Sequence, residues 1–137
     1  MITFNYETNF KLEEEKSIES WVQRMILIHE CEEGEVNYIF CDDVYLHKLN
    51  MEFLKHDTLT DIISFDNSMG KLINGDIYIS IERIVENAKD YKVSFSEELQ
   101  RVMIHGVLHC LGFKDKTEED QKEMTIQENK ALFVLNG

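Results

Sequence analysis

Between Glu97 and Leu111 the chain reads Glu-Glu-Leu-Gln-Arg-Val-Met-Ile-His-Gly-Val-Leu-His-Cys-Leu, and no other stretch restricts the fold as tightly. Placed on a helix at about 100° per residue, Leu99, Val102, Met103, Ile104, Val107, Leu108 and Leu111 cover nearly the whole circumference. A helix of that kind is buried on almost every side, so the rest of the chain has to wrap it. One narrow polar stripe interrupts the apolar surface, made of Glu98, Arg101, His105 and His109. Burying such groups is costly unless they are paired or coordinate an ion.

His105 and His109 are four residues apart, which puts both imidazoles on one helix face about 6 Å apart along the axis. Gly112 can take the left-handed conformation that ends a helix and turns the chain back. Asp115 follows three residues later as a third candidate ligand. Two imidazoles and one carboxylate leave a coordination position open, as a catalytic Zn²⁺ site requires. The same donors also suit Fe²⁺. The bland alternative is that two histidines on an apolar helix are satisfied core or surface residues. Arg101 and Glu98 are candidate catalytic residues, with a plain ion pair between them as the competing reading.

A length of 137 residues suits one domain, residues 1–137, with a core that needs no staples. Apolar content of 43% and charged content of 30% are those of an ordinary soluble globular protein. No apolar run approaches the roughly 20 residues of a membrane span. The first residues also lack the basic and apolar segments of a secretion signal, so the expectation is a cytoplasmic protein. Cys31, Cys41 and Cys110 are widely spaced and read as reduced thiols packed as small apolar residues. Cys110 adjoins a candidate ligand but points about 100° away from it. The net charge is −13, from 27 acids against 14 bases. Such a field opposes tight nonspecific binding of nucleic acid and argues against DNA; an RNA substrate needs a locally basic or neutral surface.

Ile2 to Tyr6 alternates and predicts a first strand. Residues 7–16 predict a loop or frayed helix start, with Ser17 capping a helix that runs to about Cys31. Val36 to Phe40 predicts a second strand. Asp42 or Asp43 caps a second helix carrying Val44, Leu46, Leu49, Met51, Phe53 and Leu54. Thr60 to Phe65 and Asp76 to Ser80 predict two more strands around a turn at residues 66–70. Asn74-Gly75 is a hairpin-type pair that offers Lys71 to Ile73 a local partner as a lesser alternative. Residues 81–91 predict a helix. Ser94, with Glu97 three residues on, is a better cap for the next helix than Ser96, and Thr117 opens a last helix over about 117–134. The sum is an α+β fold, a single compact domain whose mixed, partly parallel sheet of about four strands is covered by about five helices.

The stretch His105-Gly106-x-Leu108-His109-x-x-Gly112-Phe113-x-Asp115 resembles the signature His-Gly-x-Leu-His-x-x-Gly-Tyr-Asp-His of the YbeY family of bacterial rRNA maturation endoribonucleases. Asn50-x-x-Phe53 through Asp57-x-x-Thr60-Asp61-Ile62-Ile63-Ser64-Phe65, and Gly75-Asp76-Ile77-x-Ile79-Ser80, fit the same family in the same order. The resemblance implies a compact α+β, zincin-like fold. It also implies a Zn²⁺-dependent, single-strand-specific endoribonuclease acting in ribosome biogenesis, in 3′-end processing of small-subunit ribosomal RNA and in ribosome quality control. Partners would be ribosomal RNA, the small ribosomal subunit and ribosome-associated proteins.

His105 and His109 match two family ligands. Asp115 stands where the third family ligand is histidine, a change that alters the charge and metal preference of the site. Leu54 stands where the family usually carries arginine, a natural phosphate partner. Lys55 and His56 beside it, and Ser64 within the second motif, are the substrate-binding candidates.

Two rival functions compete. Metallopeptidases with paired helical histidines carry Glu directly after the first, where this chain has Gly106. A ribosome-assembly or binding factor with a structural metal would need a fourth protein ligand, from Glu118, Glu119 or Asp120.

Overall fold

The structure, a computed structural model, describes residues 1–137. Strands β1 (Ile2–Tyr6), β2 (Glu32–Cys41), β3 (Ile62–Asp66) and β4 (Leu72–Ser80) form one sheet in the order β1-β2-β4-β3. β1, β2 and β4 run parallel, and β3 closes the edge antiparallel to β4. One sheet face carries the buried residues Val36, Tyr38, Phe40, Ile73, Ile77 and Ile79. Against it lies the predicted central helix, here α4 (Phe95–Cys110), with Leu99, Val102, Met103, Ile104, Val107 and Leu108 in the same core. Helices α1 (Glu15–Ile28) and α5 (Glu118–Asn136) complete that layer through Trp21, Met25, Met124 and Leu132. Helices α2 (Asp43–Leu49) and α3 (Ile81–Tyr91) pack near the C-terminal ends of β2 and β4. The expected α+β domain with a mixed four-stranded sheet and five helices is what forms. No helix is long and apolar enough to cross a membrane.

Polar groups inside this core are satisfied locally, as burial demands. The Tyr38 hydroxyl donates to the Met103 carbonyl at 2.9 Å, and the Trp21 indole donates to the Ala131 carbonyl at 2.8 Å. The first of these bonds fixes the depth of α4 over the sheet. Its register depends on Gly106, where an added Cβ would lie 2.9 Å from Ile77 Cγ2 and 3.1 Å from Ile62 Cδ1. The three cysteines are unpaired, with Cys41 and Cys110 buried.

Helix boundaries follow side-chain caps in four of five cases. Asp42, Ser80, Ser94 and Thr117 each accept a hydrogen bond from the backbone N–H three residues on. The exception corrects the prediction. α1 begins at Glu15 after a left-handed Glu14 with no side-chain cap, and it stops at Ile28, so Ser17 lies inside the helix and Cys31 beyond it.

The strands are also longer or shifted. β2 starts at Glu32 because its first residues pair with Leu72 and Ile73. β4 therefore begins at Leu72, and Asn74-Gly75 runs straight through it instead of turning. The Asn74 side chain accepts from the Glu35 amide at 2.7 Å, beside a register shift in β2. Its polar group serves a bulge, so the lesser alternative of a hairpin does not form. β3 spans Ile62–Asp66, two residues later at its start than predicted.

The second helix is likewise interrupted: α2 ends at Leu49 and a π-helical turn covers Asn50–Leu54. Asn50 is buried and donates to the Thr58 carbonyl at 2.9 Å, while His47 bonds Asp57 at 2.8 Å. Satisfying Asn50 takes precedence over the helical phase. Met51, Phe53 and Leu54 are consequently left exposed, where the sequence pattern had put them on a buried face.

Candidate metal centre

The polar stripe of α4 opens onto a cleft of about 670 Å³. At its C-terminal end, Gly112 takes φ 105° and its amide donates to the His109 carbonyl at 3.0 Å, while the Phe113 amide donates to the Leu108 carbonyl at 3.0 Å. This closure reverses the chain as expected of a glycine at that position. Phe113 then packs edge-on against His29, and Gln121 donates to the Asp115 carbonyl at 3.1 Å. Those contacts return residue 115 to the helix it has just left.

The outcome is a triangle of donor atoms. His105 Nε2 lies 3.0 Å from His109 Nε2, and Asp115 Oδ2 lies 3.3 Å from each of them. A tetrahedral ion with ligands at about 2.0–2.1 Å has ligand–ligand edges of about 3.3–3.4 Å. The triangle has the size of one face of such a polyhedron. Two imidazole nitrogens at 3.0 Å also need a proton or a cation between them. His105, His109 and Asp115 are the one set of three or more His, Cys, Asp or Glu side chains so arranged, and Glu118, Glu119 and Asp120 remain outside it in the first turn of α5. The fourth protein ligand that a closed structural site requires is therefore missing.

Behind the triangle stands a residue that sequence reasoning did not single out. Glu128 of α5 is buried, and its Oε2 lies 2.6 Å from His105 Nδ1. With Nδ1–H donating to this carboxylate, the lone pair of Nε2 is turned to the centre, an arrangement that orients a metal-binding imidazole and makes it more basic. Arg101 completes the support, its Nη1 on Glu128 Oε1 at 3.1 Å and its Nη2 on Asn129 Oδ1 at 2.9 Å. Arg101 is thus paired with Glu128 and not, as the helix spacing suggested, with Glu98. Burial pushes the His105 imidazole down, but the Glu128 hydrogen bond and the charges of Glu128, Asp115 and Asp61 outweigh it, and its pKa stands above the ordinary value. A place that favours a proton on His105 also favours a metal cation there. The signal for Glu128 was present: an acid four residues from Met124 and from Leu132, on the buried side of a helix.

The family of the chain follows from its likeness to known proteins over its whole length. The model of the endoribonuclease YbeY family matches residues 2–136. The chain belongs to the YbeY family. It is 54% identical over 136 residues to endoribonuclease YbeY of Flavobacterium johnsoniae, covering 99% of this chain and 98% of that protein. With endoribonuclease YbeY of Flavobacterium psychrophilum it shares 58% over 136 residues, covering 99% and 97%. The solution structure of TM1509 from Thermotoga maritima superposes with a TM-score of 0.68 at 23% identity, over 98% of this chain and 89% of that one, a likeness of fold.

Within this YbeY chain the remaining candidates divide. Ser64, Glu98 and Arg101 line the cleft, whereas Lys55 and His56 are exposed on the loop after the π-helical turn and do not. Asp61, a second residue not singled out, also lines it, held by the Asn87 amide at 3.1 Å. Five carboxylates, from Asp61, Glu97, Glu98, Asp115 and Glu128, face the cleft against the single guanidinium of Arg101. A phosphodiester approaches such a surface only once a cation has changed its sign. The metallopeptidase rival meets a steric obstacle as well. Gly106 is buried against Ile77 and Ile62, so the position that would carry a general-base glutamate faces the core and not the cleft.

Proposed function

We propose that residues 1–137 form a single metal-dependent hydrolase domain that cleaves single-stranded RNA internally. Its substrate is ribosomal RNA, at the 3′ end of the small-subunit transcript, in ribosome maturation and quality control in the cytoplasm, on or beside the small subunit and its proteins. The observation that carries this reading is the Nε2–Nε2–Oδ2 triangle with Glu128 behind it, in a chain of the endoribonuclease YbeY family.

His105, His109 and Asp115 would hold the ion; two imidazoles and a carboxylate suit Zn²⁺, and Fe²⁺ is compatible with the same donors. When bound, a divalent cation supplies Lewis acidity toward a phosphodiester and offsets its charge. The side chains do the rest. Glu128 keeps the His105 proton on Nδ1. Arg101 holds Glu128 in place and lends the cleft its one positive side chain. Asp115 brings a negative charge that the histidine of the family pattern would not, which strengthens the hold on a dication and lowers the net charge left to attract phosphate.

Elemental analysis of the purified protein, paired with cleavage of single-stranded RNA before and after chelation, tests the reading. The expected result is close to one equivalent of Zn²⁺ or Fe²⁺, and cleavage that chelation stops and added metal restores. Cleavage that persists in metal-free protein would refute it, as would casein hydrolysis in place of RNA cleavage.

A further inference from the structure

Strand β3 is the outer strand of the sheet, so one of its edges has no strand beside it. The pairing with β4 fixes which main-chain groups face that edge. The Ser80 amide donates to the Asp61 carbonyl at 3.0 Å and the Asn67 amide to the Asn74 carbonyl at 2.9 Å, with Ile62 opposite Ile79 and Asp66 opposite Gly75. Successive residues of an antiparallel pair alternate between bonded and non-bonded positions. Ile63 and Phe65 therefore bond to β4, while the N–H and C=O of Ile62, Ser64 and Asp66 turn outward. Thr60 Oγ1 donates to the Ile62 carbonyl at 3.2 Å, and the Ile62 amide bonds the Asp61 carboxyl, which forms an acid wall with Glu98. Asp66 lies beyond the cleft, its carboxylate on the Ser68 amide and the Cys110 thiol. Ser64 lines the cleft, and neither its amide nor its carbonyl has a partner in the chain. Ile62 Cδ1 packs at Gly106 and Asp66 reaches Cys110, so the strand passes beside the turn of α4 that carries His105 and His109. Ser64 stands between those two contacts.

On the reading that the chain cleaves RNA, we propose that the main chain of Ser64 clamps the ribose and phosphate of a nucleotide flanking the cleaved linkage. Its N–H donates to a non-bridging phosphate oxygen, and its C=O accepts from the 2′-hydroxyl. In RNA the 2′-hydroxyl sits on the carbon next to the one that bears the 3′-phosphate. A donor and an acceptor thus lie side by side, as the C=O and N–H of one extended residue do. A hydrogen bond to a charged oxygen is about twice as strong as a neutral one. It needs no positive side chain, in a cleft whose one cationic side chain is Arg101. The 2′-hydroxyl is the group by which a protein tells RNA from DNA, so the carbonyl makes the site selective for ribose. Neither contact reads a base. An added peptide strand is the other partner that an open edge invites. It would need a run of outward groups, and both of those on Ile62 are filled. One free residue suits one nucleotide.

The test measures kcat and KM of metal-loaded protein on a single-stranded oligoribonucleotide and on copies that each carry one 2′-deoxynucleotide. At one position flanking the cleaved linkage the deoxy substitution should raise KM about three- to tenfold with kcat little changed, a split that loss of an attacking hydroxyl would not give. Ser64→Pro removes the outward N–H, a change that an edge strand tolerates. It should raise KM about tenfold with bound metal at the parent level. Ser64→Ala keeps both main-chain groups, so its KM should fall between those of the parent and Ser64→Pro. Equal KM for every deoxy copy overturns the clamp, as does a Ser64→Ala loss as large as that of Ser64→Pro. If Ser64→Pro does not fold, the deoxy series decides alone. Inhibition by an extended Thr-Val repeat peptide, relieved in Ser64→Pro, would make the edge a strand-addition site and overturn the clamp too. If no RNA is cleaved, the nuclease reading falls, and fluorescence anisotropy with the same oligonucleotides still decides. Weaker binding of one deoxy copy than of the full RNA supports the clamp, and equal binding of all copies overturns it.

Discussion

The two ends of the cleft hold the same kind of groups and treat them in opposite ways. At the C-terminal end of α4, His105, His109, Asp115, Glu128 and Arg101 bond to one another at 2.6–3.3 Å, so each charge faces an opposite charge or a shared centre. At the N-terminal end, Glu98 and Asp61 share the Asn87 amide, and Asp61 also accepts from the backbone N–H groups of Asp61 and Ile62. The first end brings together donors that could hold a cation. The second brings two acids together with no cation bonded to either, and burial shifts both carboxyl groups toward their neutral forms.

The largest effect that would break this contrast comes from removing a member of the triangle. His109→Ala leaves one imidazole and one carboxylate, too few donors to hold the ion against water. Bound metal measured by elemental analysis should fall to background and RNA cleavage with it, while circular dichroism remains native, since His109 is not part of the core. Metal retained at full occupancy in this variant would place the ion elsewhere. Next in size is Glu128→Gln, which keeps an acceptor for His105 Nδ1–H but removes the charge. Loss of a supporting carboxylate of this kind lowers metal affinity about 10–100-fold, to be read by competition with a chromogenic chelator. An unchanged affinity would reduce Glu128 to a packing residue that happens to lie at 2.6 Å.

The same contrast explains what could be read from the sequence. The metal end was legible because its ligands are local: a four-residue helical spacing, a helix-ending glycine and an acid three residues on confine the geometry to one turn and one loop. The caps Ser94 and Thr117 were legible for the same reason. Glu128 and Asp61 were not, since they arrive from α5 and from the entry to β3, and only tertiary packing puts them beside α4. The pairing of Arg101 shows the limit most plainly. Three residues from Glu98 on the helix, it turns instead to a partner 27 positions away, because the acid on α5 is also held by an imidazole and offers the better-fixed site. The π-helical turn after α2 escaped notice on similar grounds. The apolar spacing of Met51, Phe53 and Leu54 suggested a continuing helix, and the demand of buried Asn50 for the Thr58 carbonyl, formed only when the loop folds back, overrides it.

The smallest expected effect sharpens the contrast by titration. Glu98 has an ordinary value of 4.5 in the unfolded chain and is pushed up to about 7 in the fold by burial and by Asp61. Between those values the folded protein binds a proton that the unfolded chain has released, so stability falls as pH rises through the window. Below about pH 4.5 the group contributes no difference, and above about pH 7 its cost is constant. Glu98→Gln removes the titration. Its stability relative to the parent should therefore rise between about pH 5 and pH 8, by on the order of 1–2 kcal/mol, measured as urea midpoints at each pH. The metal end responds in the same direction through a different group: His105 also stands above its ordinary value in the fold, so its contribution is full below the unfolded value and is lost as pH rises through the folded one. The two responses are separable, since adding metal replaces the His105 proton and leaves that of Glu98 in place. A difference curve for Glu98→Gln that vanished on adding metal would mean that the acid wall and the metal centre are one electrostatic unit, and the division of the cleft into two ends would have to be abandoned.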